Sequence, residues 1–308
     1  MTPSDSPPGV VVLNPVSGGG EHAEQVRRRA TLLGYSVRET EEDGDAVTFA
    51  REAAEEGATV VAAAGGDGTL NEVVRGVAEA GALDRVTVGV IPAGTGNNFA
   101  RHIGIPSVEE GFDVLEGGEA RRLDLGTAND RPFVNSCVAG LTADASAETT
   151  PELKNSLGVL AYVLTTLRTA RSYEGLPLRV TAWERGHRSD EWTGDAFLVL
   201  VGNGRRFSAE GDGQADMEDG RFEVVIVEDV PVADLVGQAL LERLFGEDAA
   251  HTTRVRATSL EITGLSPEPV SFSLDGEIIE SRTLSLDVRA GALRMLVGAG
   301  YDPAPEPL

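Results

Sequence analysis

Three times in its first hundred residues the chain runs from a short apolar segment into a glycine-rich loop and on into a helical pattern. Residues 10–13 lead into Asn14-Pro15-Val16-Ser17-Gly18-Gly19-Gly20. Residues 59–64 lead into Gly65-Gly66-Asp67-Gly68-Thr69, and residues 86–91 into Pro92-Ala93-Gly94-Thr95-Gly96-Asn97. A short apolar run closed by turn residues reads as a buried strand. Helices are expected at 21–33, 45–56 and 71–80, with one more short strand at 35–39. In 45–56, Ala46, Phe49, Ala50 and Ala53 share a face and Gly57 stops the helix. In 21–33 the acid comes first and Arg27, Arg28 and Arg29 come late, as the helix dipole favours. Strands and helices alternating at this spacing imply βαβ units: a parallel sheet with helices on both faces. Such sheets bind ligands at the carboxyl ends of their strands, where all three loops fall.

Beyond Gly117-Gly118 the texture changes. Segments 123–126, 131–138, 178–183, 195–201, 222–227, 253–263 and 270–274 are rich in β-branched residues and joined by Gly, Asp and Asn turns. They predict a mostly antiparallel β-sandwich, interrupted by helices at 157–171 and 232–245. A length of 308 residues accommodates two domains of ordinary size. The expected organisation is an α/β nucleotide-binding domain over 1–121 and a β-rich domain over 122–289. Whether 290–308, with a last strand at 293–297, packs back on the first is left open by the sequence.

Charge narrows the partners. Fifty acidic against 26 basic residues give a net charge of −24, which repels the phosphates of nucleic acid. Lys154 is the single lysine. An acidic surface with so little lysine reads as that of a salt-loving microbe, a halophilic archaeon, since at about 1 M salt the screening length falls to about 3 Å. A GC-rich genome would also favour Arg over Lys. One cysteine, Cys137, excludes an intrachain disulfide and fits the cytoplasm. No run of about 18 apolar residues is present to span a membrane. Residues 1–9 lack the basic start of a signal peptide.

The Gly65–Thr69 loop carries the sharpest chemistry. Its glycines let backbone N–H groups approach a polyphosphate, and the helix that follows turns its positive end to the same place. A carboxylate there would repel ATP unless Mg²⁺ lies between, or unless it takes a proton from the attacking group. Asp67 is therefore a Mg²⁺ ligand or a base. The Pro92–Arg101 loop adds hydroxyl and amide donors. The Asn14–Gly20 loop is weak alone, but loops after strands of one sheet converge. His22, His102, His187 and His251 form no metal-ligand spacing.

In this order, the three loops resemble the diacylglycerol kinase catalytic domain family of bacterial and archaeal lipid kinases, related to sphingosine kinases. The likeness continues through Leu123-Asp124-Leu125-Gly126, Phe133-Val134-Asn135-Ser136, Gly140 and Asp144. It goes on through Gly202-Asn203-Gly204, Asp219-Gly220-Arg221-Phe222-Glu223 and Leu274-Asp275-Gly276-Glu277. It implies ATP and Mg²⁺ as cofactors, a lipid hydroxyl as acceptor at a membrane surface, and a cytoplasmic protein peripheral to the inner membrane face. It implies nucleotide contacts from Asn14, Ser17, Gly18, Gly65, Gly66, Gly68, Thr69, Gly94, Thr95, Gly96 and Asn97. Asp67 and Asp124 would belong to an Asp–water–Mg²⁺ network. Glu277 would help deprotonate the hydroxyl, with Asp67 its rival and Asp275 in support. Asp144 would meet the lipid head. Asp219, with backbone carbonyls near Asp216 and Arg221, would hold a structural Mg²⁺, an ion that prefers hard oxygen ligands.

Two positions depart from the family pattern: Asn97-Asn98 stands for Asn-Asp, and Thr142-Ala143 for Gly-Phe. The apolar helix at 157–171 suits a lipid cleft, and a homodimer is left open. An NAD kinase, which also carries a Gly-Gly-Asp-Gly loop, and a non-catalytic nucleotide sensor are the alternatives.

Overall fold

A computed structural model describes residues 9–140, 175–208, 211–229, 249 and 251–305. They fall into two compact units. The first comprises the described residues up to Leu125 with Arg131–Val134 and Ala290–Ala304. The second comprises those of Gly126–Asp130 and Asn135–Arg289.

The first unit runs β1 (Gly9–Leu13), a 3₁₀ turn (Ser17–Gly19), α1 (Ala23–Leu32), β2 (Ser36–Glu39), α2 (Asp45–Glu55) and β3 (Val60–Gly65). It continues with α3 (Asp67–Glu79), β4 (Thr87–Pro92), α4 (Asn98–His102) and α5 (Val108–Gly117). The strands pair in parallel in the order β2-β1-β3-β4. All of β1 is buried, so both of its faces are covered. On one face Val11, Leu13, Ala62, Ala64 and Ile91 pack with Val26 and Ala30 of α1 and Phe112 of α5. Burial of each large side chain contributes about 1.5–3 kcal/mol.

Local chemistry sets the helix ends. α3 starts at Asp67, four residues earlier than the sequence pattern suggests, because Leu70 N–H already closes a turn on Gly66 O. An acid in the first turn suits the dipole. α5, absent from the sequence reading, begins at a capping box: Ser107 Oγ accepts from Glu110 N–H and donates to the Glu110 carboxylate.

β5 (Glu119–Ala128) carries the chain out of the first unit, and β6 (Arg131–Phe133) belongs to it. The second unit holds β7 (Ser136–Ala139), β8 (Leu176–Glu184), β9 (His187–Gly202), β10 (Arg205–Ser208), β11 (Gly211–Gln214) and β12 (Phe222–Glu228). It also holds β13 (Thr252–Ala257), β14 (Ser259–Gly264), β15 (Val270–Leu274) and β16 (Glu277–Ser281). β17 (Thr283–Val297) starts in the second unit and ends in the first. Pairing in the second unit is antiparallel, in the order β16-β15-β7-β9-β8-β14-β17, with β12 also on β9 and β13 on β12. The fold is thus a parallel α/β unit followed by a mostly antiparallel β unit.

Two expected strands divide. Segment 131–138 breaks into β6 and β7. Segment 253–263 breaks at Thr258, whose N–H and hydroxyl both donate to Trp183 O. β9 and β17 are far longer than 195–201 and 293–297. The end of β17 lies in the first unit, where Met295 pairs in parallel with Val88 of β4. The helices expected at 157–171 and 232–245, together with Thr142, Ala143 and Asp144, lie outside the described residues.

Cys137 of β7 is fully buried, and burial pushes its thiol pKa up, with the charge of Asp275 adding to the rise. The thiol therefore stays protonated as pH rises through the range where free cysteine ionises. Folded protein is expected to resist a thiol reagent at pH 8.5, and one thiol per chain to react after denaturation. Fast labelling of the native protein would contradict this burial.

Candidate active site

The three glycine loops meet backbone to backbone. A Cβ on Gly94 would lie 2.4 Å from the Cα of Gly66, and a Cβ on Gly18 would lie 2.3 Å from Ala93 O. No side chain fits at either place. A Cβ on Gly66 would lie 3.7 Å from Ser17 Oγ. The strands explain the convergence: β1 and β4 flank β3, and the loops leave all three at their carboxyl ends. Asn14 N–H donates to Ala64 O, while Ala93 and Gly94 N–H both donate to Gly65 O.

Asp67 sits at the junction. Its Oδ2 accepts from Asn98 N–H and its Oδ1 from Phe99 N–H, each at 3.0 Å. The carboxylate thus caps α4 from another loop. Bonds to a charged acceptor contribute about 1.5–3 kcal/mol each. The third loop is held from within as well. Asn97 is left-handed at φ 49°, and its carboxamide exchanges hydrogen bonds with Gly94, accepting from the N–H and donating to the carbonyl. Arg101 donates to Gly96 O and Asn98 Oδ1. Sequence reasoning took Arg101 only as the end of a motif. Its spacing of three from Asn98, one helical turn, was the available signal.

The other acids have different surroundings. Asp124 is 2% exposed and its Oδ1 accepts from Gly291 N–H at 2.8 Å, joining β5 to β17. Asp275 and Gly276, at φ 49° and 98°, form the β15–β16 turn. Asp275 Oδ1 accepts from Asn135 and Ser136 N–H at 2.9 and 2.7 Å, tying this turn to the start of β7. Glu277 opens β16 and is exposed. Thr95 and Gly68 are also exposed, whereas Thr69 is buried.

The donors differ in their fitness for a cation. Mg²⁺ binds through one or two carboxylates plus phosphate oxygens and water. Each Asp67 oxygen holds one N–H and keeps a second lone pair, so this carboxylate fits that role beside a nucleotide. At the Asp219 loop the carboxylate is already engaged. Its Oδ1 accepts from Arg221 N–H at 2.8 Å and its Oδ2 pairs with the Arg256 guanidinium. Asp216 is engaged by Glu218 N–H, and the Arg221 side chain is held by Glu184. Burial raises the Asp219 pKa and Arg256 opposes the rise. A divalent cation here would compete with Arg256 for Oδ2. Among the described residues, no group of three His, Cys, Asp or Glu is arranged to hold a metal.

Three glycine loops meeting at the ends of parallel strands, the second and third tied by one carboxylate, mark an α/β unit followed by an antiparallel β unit. Residues 8–128 match the diacylglycerol kinase catalytic domain, and 135–297 match the YegS C-terminal NAD kinase beta sandwich-like domain. The chain belongs to the diacylglycerol kinase family of lipid kinases. It is 33% identical over 305 residues to a Pseudomonas aeruginosa (strain UCBPP-PA14) protein named "Probable lipid kinase YegS-like", with 97% of each chain covered. It is 34% identical over 277 residues to a "Diacylglycerol kinase" of Staphylococcus epidermidis (strain ATCC 12228 / FDA PCI 1200), covering 87% of this chain and 84% of that one. A solved Bacillus anthracis str. Sterne structure shares the fold with a TM-score of 0.78 at 24% identity, covering 98% of this chain and 99% of its own.

Gly94→Ala is expected to cost about 1–3 kcal/mol of stability by overpacking, read by denaturant unfolding. Gly68→Ala, whose Cβ would meet nothing within 4 Å, is expected to be neutral. At the Asp219 loop, EDTA is expected to leave the wild-type melting temperature unchanged. Arg256→Gln should lower it by a few degrees, and added Mg²⁺ should restore part of the loss. A chelator-induced drop in the wild type would instead put a cation at Asp219.

Proposed function

We propose that the protein transfers the γ-phosphate of ATP to a lipid hydroxyl, with a diacylglycerol-like lipid as the first candidate. The observation that carries this reading is the closure of three glycine loops around Asp67. Ser17, Gly18, Gly66, Gly68, Thr69, Thr95, Gly96 and Asn97 are read as presenting donors to the triphosphate, while Gly94, whose N–H is taken by Gly65 O and Asn97 Oδ1, lets the loops close. Mg²⁺, when bound with the nucleotide, supplies positive charge to the phosphate oxygens. What remains for the chain is positioning and charge stabilisation, which dominate phosphoryl transfer. Asp67 keeps the second and third loops at a fixed spacing. Glu277, exposed at the head of β16, is the group read as taking the hydroxyl proton, and its turn is set by Asp275. Asp124 is read as supporting the Mg²⁺ network, and Asp144 as meeting the lipid head.

The protein is expected to act at the cytoplasmic membrane face. Among the described residues no helix is long and apolar enough to cross a membrane. The acidic surface is read as an adaptation to high salt.

The test is transfer of labelled phosphate from ATP to diacylglycerol, a sphingoid base, an ether lipid and NAD, in dilute buffer and at about 1 M salt. A labelled lipid is expected, with more turnover at high salt. Loss of a base costs about 10²–10⁴-fold, so Glu277→Ala should lower kcat by that much with the ATP KM kept. Asp67→Ala should also abolish turnover, and should weaken ATP binding because α4 is released. Phosphorylated NAD with no labelled lipid would refute the reading. ATP binding without any product would favour a nucleotide sensor.

A further inference from the structure

The three loops contain two charged residues, Asp67 and Arg101. The Asp67 carboxylate is bound by two backbone N–H groups of the third loop. Arg101 is exposed in the last turn of α4, and its guanidinium lies across the loop from Gly96 O to Asn98 Oδ1. Both of those acceptors are neutral. Outside the loops, Arg85 and Arg122 also donate to backbone carbonyls, whereas Arg27 holds Glu39, Arg38 holds Glu56, Arg121 holds Glu119, Arg206 holds Glu223 and Arg256 holds Asp219.

An arginine held by neutral acceptors inside the loops matters in a chain of net charge −24. A triphosphate brought to the Gly66–Gly94 junction needs positive charge that no carboxylate has cancelled. Backbone N–H groups supply dipoles, and Arg101 is the single full positive charge in the three loops. Asn98 stands one helical turn before it. Its carboxamide oxygen orients the guanidinium as a carboxylate would, but without neutralising it. The backbone of the same residue is fixed by Asp67, so the latch does not wander.

Resting on the nucleotide reading above, we propose that Arg101 is the phosphate-binding cation of this site. Asn98 is the positioning residue that leaves its charge available. The replacement of an acid by an amide at 98 is then a gain in phosphate affinity rather than the loss of a functional group. A carboxylate at 98 would pair with Arg101 and turn the rim of the loop neutral.

The experiment is titration calorimetry of the full chain with Mg-ATP, Mg-ADP and adenosine, for the wild type, Asn98→Asp, Arg101→Gln and Arg101→Lys. Thermal melting of each variant checks folding. Arg101→Gln is expected to weaken ATP about tenfold or more and ADP less, leaving adenosine unchanged. Arg101→Lys should recover part of the loss. Asn98→Asp should weaken ATP about tenfold, with the deficit shrinking as salt screens the added charge. Two results overturn the proposal: Asn98→Asp binding ATP as tightly as the wild type or tighter, or Arg101→Gln weakening ATP and adenosine alike. If the wild type binds no ATP, the nucleotide reading itself fails along with it. ATP binding that is indifferent to residues 98 and 101 sinks only this inference.

Discussion

Two hydrogen bonds of 3.0 Å, from the backbone N–H groups of Asn98 and Phe99 to the Asp67 carboxylate, tie together loops 31 and 32 residues apart in sequence. The rest of the cradle depends on them. Gly66 and Gly94 come within backbone contact, and the Ala93 and Gly94 N–H groups on Gly65 O reinforce the same tie. The acid that sequence chemistry marks as a metal ligand or a base is first of all a cap. These roles are compatible, because each oxygen keeps a lone pair outward.

The same use of carboxylates recurs. Asp124 takes the N–H of Gly291, Asp275 those of Asn135 and Ser136, and Asp229 that of Gly175. Asp45 takes the N–H groups of Glu41 and Glu42 just ahead of α2. In a chain so rich in acid, a share of the carboxylates stabilises turns by satisfying backbone donors that have no ladder partner. Others are neutralised by arginine, with Arg206–Glu223 a well-buried pair among the described residues: its side chains are 14% and 4% exposed. Charge therefore does internal structural work as well as facing solvent.

Much of the first unit was legible in the sequence because its signals are local. Val10–Leu13 and the alanines of β3 are continuous apolar runs, and glycines mark the strand ends. The Ser107/Glu110 capping box was equally local and was overlooked. β9 was legible only in part, since His187–Asp195 is mostly polar and exposed and is ordered by pairing with β8. β17 alternates Leu284 and Leu286 with exposed residues before its apolar end, and the period-two half was missed. Among the site residues, the glycines and Asp67 announced themselves by position. The Arg256–Asp219 pair did not, because its partners are 37 residues apart and no short motif connects them.

The path of β17 bears on the order in which the molecule can be made. A chain emerging from the ribosome folds its early segments first, yet the first unit is finished by Ala290–Ala304. Until Met295 is available, β4 lacks the parallel neighbour it has in the finished fold, and Asp124 lacks Gly291. An open strand edge of that kind is a site for wrong pairing. The glycine loops can take shape early, while the sheet beneath them waits for the end of β17. Cutting the chain where the first family match ends, at residue 128, would leave that wait permanent.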